Sequence, residues 1–216
     1  MASININGNQ FVYEEIKLSY DTISPLDTDT AKALLLKIKE IFDKHKLDFY
    51  LAYGTLLGAV RDKGFIKGDE DIDIYITDEE KLLSIIPELH NNDIKLFRYK
   101  KKYCSFIYTD RCYIDIYFLK PYKFSFFGLY CLSLAGYATP KKYFKETEEI
   151  EFLDALFKCQ KSPQKILQFW YGKTWNVPIR GHKGYPYEVY LSIFYKKFKR
   201  LVKLLIGYKY WKNDKS

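Results

Sequence analysis

The chain lacks the cysteine and histidine spacing of a zinc cage and the long apolar run of a membrane span. Its four cysteines, Cys104, Cys112, Cys131 and Cys159, show no Cys-x-x-Cys spacing, and no pair of histidines stands near them. That spacing gives no support for a zinc site. Nowhere do 18 apolar residues follow one another, which excludes a membrane-spanning helix. The nearest approach, Phe124 to Ala138, is short and reads as buried strand and loop. Residues 1 to 11 lack a basic region followed by an apolar run, so no secretory signal is expected there. Without one, the cysteines are expected as reduced thiols in a cytoplasm.

What is present is apolar and aromatic. Of 216 residues, 48% are hydrophobic and 19% aromatic, which excludes disorder and is enough for one cored domain with an appendage. The expected divisions are an N-terminal lead over 1–27, a catalytic domain over 28–180 and a basic helical tail over 181–216.

The most informative stretch runs from Tyr53-Gly54-Thr55-Leu56-Leu57-Gly58-Ala59-Val60-Arg61 to Asp69-Glu70-Asp71-Ile72-Asp73-Ile74. The second part alternates acids with isoleucines. On a strand, successive side chains face opposite ways, so Asp71, Asp73 and Tyr75 share one face while Ile72, Ile74 and Ile76 enter a core. An isolated Asp-x-Asp is also what the wet face of a half-buried sheet looks like. Its neighbours argue for chemistry. Phe49 to Tyr53 reads as a strand, Gly54-Thr55 ends it, and Thr55 to Val60 reads as the first turns of a helix. Unpaired N–H groups at a helix start favour a phosphate, Gly54 permits close backbone approach, and Arg61 supplies a planar cation. Two carboxylates held side by side repel unless a cation lies between them, and hard oxygen ligands suit Mg²⁺ or Mn²⁺.

These residues resemble the LicD/fukutin-type phosphotransferases of the nucleotidyltransferase superfamily. The resemblance rests on Tyr53 to Arg61, Gly64-Phe65-Ile66 and Asp69 to Ile74. Tyr113-Ile114-Asp115-Ile116-Tyr117-Phe118 resembles the family's second acidic strand. Tyr171-Gly172, Trp175 and Pro178 resemble a later element. Lys67-Gly68 and Glu70 stand where the family usually has Pro-Trp and a third consecutive aspartate.

The resemblance implies an α+β, nucleotidyltransferase-like mixed sheet flanked by helices. It implies transfer of a phospho-alcohol group, phosphocholine or ribitol phosphate for example, from a CDP-linked donor. The acceptor would be a sugar hydroxyl of a surface glycan or its lipid-linked precursor. Asp71 and Asp73 would hold Mg²⁺ or Mn²⁺, and Asp115 would complete the metal site or take the acceptor's proton. Gly54, Thr55 and Arg61 would hold donor phosphate, and Asp69 would stand behind the metal ligands or on the acceptor side. A nucleotidyltransferase that attaches NMP to a small alcohol or drug uses the same acids. An inactive binding module would be expected to lose them.

The remaining elements follow from periodicity and caps. Asp29-Thr30 is expected to cap a helix to about Lys46, and Thr77-Asp78 a second helix to about Leu89. Ile94 to Tyr99, Cys104 to Tyr108 and Cys112 to Leu119 read as successive strands. Ser162-Pro163 starts a helix that Gly172 stops. Arg180-Gly181-His182-Lys183-Gly184 is a compact cationic loop, so Arg180 and His182 are candidate phosphate or glycan contacts.

Residues 185 to 216 carry a net +6 of the chain's +8. Leu191, Phe194, Phe198, Leu201, Val202 and Leu205 recur at helical spacing among Lys196, Lys197, Lys199, Arg200 and Lys203. Such a helix suits the surface of an anionic membrane, at roughly 1 kcal/mol per basic group. It equally suits packing on the domain with its charges in water. No nucleic-acid reader motif is present, and no nucleic-acid partner is expected. The expected location is the cytoplasm, peripheral on the inner face of a membrane if the tail binds lipid. On the membrane reading, deletion of residues 190–216 is expected to abolish co-sedimentation with anionic liposomes.

Overall fold

The computed structural model describes residues 1–18, 24–109, 112–121, 131–135 and 137–178. Arg180, His182, the tail over 185–216 and most of the Phe124–Ala138 stretch lie outside the described residues. Two compact units are present, residues 1–166 and 167–216. Among the described residues no helix is long and apolar enough to cross a membrane.

The chain opens with a hairpin, β1 (Ala2–Ile6) and β2 (Asn9–Tyr13), within the residues expected as an N-terminal lead. Asn7 and Gly8, at φ 51° and 85°, form its turn. Both left-handed positions of a tight hairpin turn are thus filled by the two residue types that tolerate them best. Helix α1 (Thr28–Lys44) begins earlier than expected, because Asp27 is its cap and accepts from the Thr30 N–H at 3.0 Å. Ala31, Leu34, Leu35, Ile38, Ile41 and Phe42 form its buried stripe.

Strand β3 (Phe49–Leu51) is shorter than expected. Tyr53, at φ 37°, already belongs to helix α2 (Tyr53–Arg61). Then come β4 (Ile72–Ile76) and α3 (Glu79–Asn91), the latter capped by Asp78. Three strands follow: β5 (Lys95–Lys100), β6 (Tyr103–Thr109) and β7 (Cys112–Phe118). The central sheet has the order β3-β4-β7-β6-β5. It is mixed: β4 and β7 run parallel and every other neighbouring pair is antiparallel. A parallel pair needs a long crossover, here α3 together with the β5–β6 hairpin. This is the α+β mixed sheet flanked by helices that was expected.

A smaller sheet of β8 (Lys120–Pro121), β9 (Cys131–Leu134) and β10 (Tyr137–Pro140) follows. A 3₁₀ turn over Lys141–Phe144 leads to the hairpin of β11 (Thr147–Phe152) and β12 (Ala155–Gln160). Helix α4 (Pro163–Tyr171) ends where Gly172, at φ 85°, donates its N–H to the Gln168 carbonyl at 2.9 Å.

The core lies on both sides of the central sheet. All five residues of β4 are buried, so its acidic face is covered as well as its isoleucine face. Tyr75 stacks on Tyr50 at 4.8 Å and meets the Phe144 ring edge-on. The loop after α2 crosses close over Gly58. A Cβ there would lie 2.5 Å from the Gly64 carbonyl oxygen and 3.2 Å from the Ile66 nitrogen. Backbone cannot yield as a side chain does, so Gly58→Ala is expected to lower unfolding stability by about 1–3 kcal/mol in urea titration.

Candidate active site

The pairing of β4 with β7 sets the site. Asp73 stands directly opposite Asp115, and the flanking isoleucines pair in the same register. Cross-strand partners share a face, so the two carboxylates are forced together on the side away from the isoleucine core. Both are buried, at 7% and 8% exposure. Asp71 precedes β4 and Asp69 lies two residues earlier. Both act on Asp73 as nearby negative charge, as does Asp115. The structure therefore brings Asp69, Asp71, Asp73 and Asp115 together.

Each acid is held differently. The Asp73 carboxylate accepts the Gly54 N–H at 3.0 Å and the Tyr117 hydroxyl at 2.9 Å. Its backbone N–H donates to Thr55 Oγ1 at 2.8 Å, and its carbonyl accepts from Ala52 at 3.1 Å. Asp115 Oδ1 accepts the Ser105 hydroxyl and lies 3.7 Å from the Arg98 guanidinium. Asp115 Oδ2 is 3.5 Å from the Tyr117 hydroxyl. That hydroxyl has one proton and its shorter contact is to Asp73, so the Asp115 contact is the weaker. Asp71 is hydrogen-bonded by the Tyr113 hydroxyl. Asp69 Oδ1 accepts from the Glu70 N–H at 3.2 Å, while its Oδ2 is buried with no partner.

Burial and like charge then raise the carboxyl pKa values. Asp69 is pushed up to about 6, chiefly by burial. Asp71 is pushed up to about 7 by burial and then by Asp115 and Asp69. Asp73 is raised well above the carboxylate range by burial, then by Asp71. Burial also raises Asp115, opposed by the Ser105 hydrogen bond and the Arg98 charge.

Gly54, Thr55 and Arg61, expected as phosphate contacts, are engaged within the protein. Gly54 and Thr55 build the seat of Asp73. A Cβ on Gly54 would lie 2.8 Å from Asp69 Oδ2 and 3.3 Å from Asp73 Oδ2. The glycine at this turn admits two carboxylates to the backbone. The Arg61 guanidinium forks onto Asp62 at 2.8 and 2.7 Å, and its charge also reaches Asp69. Ser105, Arg98 and the hydroxyl of Tyr117 did not stand out from the sequence. One signal for Ser105 was available: it is a small hydroxyl set between the apolar Cys104 and Phe106 in the buried middle of its strand.

Among the described residues, no group of three or more His, Cys, Asp or Glu side chains is arranged to hold a metal ion. Their oxygens are turned instead onto tyrosine, serine and backbone donors. The donor chemistry nevertheless suits a hard divalent cation. All four groups offer carboxylate oxygen, one buried oxygen lacks any partner, and like charges crowd around Asp71 and Asp73.

A mixed sheet with carboxylates on adjacent parallel strands, entered through a strand–turn–helix, defines a nucleotidyltransferase-like domain. The chain belongs to the LicD/FKTN/FKRP family, whose nucleotidyltransferase-domain model matches residues 46–161. It is similar to the lipopolysaccharide cholinephosphotransferase LicD of Haemophilus influenzae, 47% identical over 38 residues, covering 18% of this chain and 14% of that protein. It is also similar to an uncharacterized protein of Rickettsia prowazekii, 33% identical over 86 residues, covering 37% and 32% of the two chains. The chain thus matches about a third or less of the length of these curated relatives. The lincomycin-bound crystal structure of the lincosamide antibiotic adenylyltransferase LnuA aligns with a TM-score of 0.44 at 16% identity, covering 62% of this chain and 82% of that one.

The raised acids set a pH dependence. Unfolded, Asp69 and Asp71 titrate near the ordinary value of 3.8; folded, they titrate near 6 and 7. Between those values the folded chain binds more protons than the unfolded chain, so stability falls as pH rises through that window. Thermal unfolding in EDTA is expected to give a lower Tm at about pH 8 than at about pH 5.

Proposed function

We propose that this chain is a metal-dependent phosphotransferase that moves a phospho-alcohol group from a CDP-linked donor to a sugar hydroxyl of a glycan or its lipid-linked precursor. The observation that carries the reading is the convergence of four carboxylates beside the Gly54 turn, two of them, Asp73 and Asp115, buried and forced opposite one another by strand register. Family membership and the cholinephosphotransferase name of one relative support the same chemistry.

Asp71, Asp73 and Asp115 would hold Mg²⁺ or Mn²⁺. A cation so bound would neutralise the donor diphosphate and the charge developing on the leaving CMP. Gly54, Thr55 and Tyr117 keep Asp73 fixed during this exchange. In the transfer, the acceptor hydroxyl oxygen forms a bond to the phosphorus that carries the alcohol. The P–O–P bond breaks, and CMP leaves with the bridging oxygen. The hydroxyl proton passes to one of the carboxylates that the site holds at raised pKa, for which Asp69 and Asp115 are the candidates. Lys67-Gly68, just before Asp69 in the chain, stands where the resemblance has Pro-Trp.

Donor identity is readable by thermal shift with CDP-choline, CDP-ribitol, CDP-glycerol and free nucleotides, with and without Mg²⁺. The true donor stabilises the folded chain in proportion to its occupancy. Product analysis should show CMP; pyrophosphate from a nucleoside triphosphate would establish nucleotidyl transfer instead. Asp73→Asn is expected to cut turnover by at least about 10²-fold while leaving the cooperative unfolding transition in place. Normal turnover in that variant would remove the acid cluster from the chemistry.

A further inference from the structure

We propose that Arg98 and Ser105 are positioning residues that fix the carboxylate of Asp115, a role that rests on the metal-dependent reading above. The register of the sheet makes one row across four strands: Asp73 on β4, Asp115 on β7, Ser105 on β6 and Arg98 on β5. The row is connected by hydrogen bonds. The Arg98 Nε–H donates to Ser105 Oγ at 3.1 Å, and the Ser105 hydroxyl donates in turn to Asp115 Oδ1. A donor whose own oxygen accepts from a cation is polarised, which strengthens the bond it makes. Asp115 Oδ1 is thereby occupied, and Oδ2 is the oxygen that faces the Tyr117 hydroxyl, which itself donates to Asp73.

A β-bulge puts Arg98 in this row. Leu96 pairs with Phe106, but Arg98 rather than Phe97 opposes Ser105. In regular pairing Phe97 would stand there, and Arg98 would oppose Cys104 on the other face. The bulge therefore re-aims a cation toward the acid cluster. Its guanidinium is then held over the Phe97 and Tyr103 rings, at 5.2 and 5.4 Å from their centroids, and its Nη1 lies 3.5 Å from the Tyr103 hydroxyl. Ser105 has no exposure at all. A buried serine bridging a caged arginine to an acid is more than packing requires, since alanine would fill the same space.

The test is Mn²⁺ binding to the full chain by calorimetry, with Tm recorded for each variant. Ser105→Ala and Arg98→Met are each expected to weaken Mn²⁺ binding about tenfold or more. Arg98→Lys is expected not to restore it, because a point-like ammonium lacks the planar Nε–H fork. In an Asp115→Asn background, Ser105→Ala is expected to cause no further loss, because its effect runs through Asp115. With the donor in hand, kcat should fall while the KM for donor stays near that of the parent. Unchanged Mn²⁺ affinity in both single variants would overturn the inference, even if their Tm fell. Losses that add fully to those of Asp115→Asn would overturn it too. A parent chain that binds no Mn²⁺ would overturn this inference and the metal-dependent reading together. A parent that binds while the variants match it overturns the inference alone.

Discussion

The apposition of Asp73 and Asp115 is the constraint on which the site depends. Register leaves these two carboxylates no choice. The isoleucines on either side of each acid must enter the same core layer, and a slip by one residue would drive the acids into it. Core packing thus pins two like charges opposite one another in a buried place. Such an arrangement costs stability unless a cation or a proton offsets it. The folded chain tolerates it because each acid has dedicated donors, and because burial raises both carboxyl pKa values, that of Asp73 the further.

The surrounding elements serve that pair. Gly54 and Thr55, at the start of α2, grip Asp73 by its side chain and its backbone. Tyr117, one step of the same face beyond Asp115, spans both acids. Its ring is packed edge-on by Tyr53, and the Tyr53 hydroxyl is itself tied to the Leu134 carbonyl. Tyr53 sits at a left-handed φ, a conformation that bulky residues hold only when their surroundings demand it. Strain at that position places the next residue, Gly54, where its N–H reaches Asp73.

Much of the architecture was legible because it is written in local patterns. Alternation marked β4 and β7. The apolar stripe marked α1, and Gly172 marked the stop of α4. The boundaries that moved did so for local reasons: Asp27 competes with Asp29 as a cap, and Tyr53 joins the helix rather than the strand. Asn7-Gly8 was a hairpin signal on the page, but the strands beside it are short, polar and partly exposed, so their pattern is faint. The β11–β12 hairpin turns at Leu153-Asp154, both at positive φ. A leucine gives no warning of such a turn.

The sequence by itself determined which acids are present, their spacing on two strands and the glycine turn beside them, because strand period and turn chemistry are properties of neighbouring residues. Only the tertiary structure decided what those groups do to one another. Parallel pairing set Asp73 against Asp115, the covering of both sheet faces buried them, and a bulge in β5 brought Arg98 within reach through Ser105. Residues far apart in the chain meet only when the sheet closes, and no local pattern encodes the offset at which two strands meet.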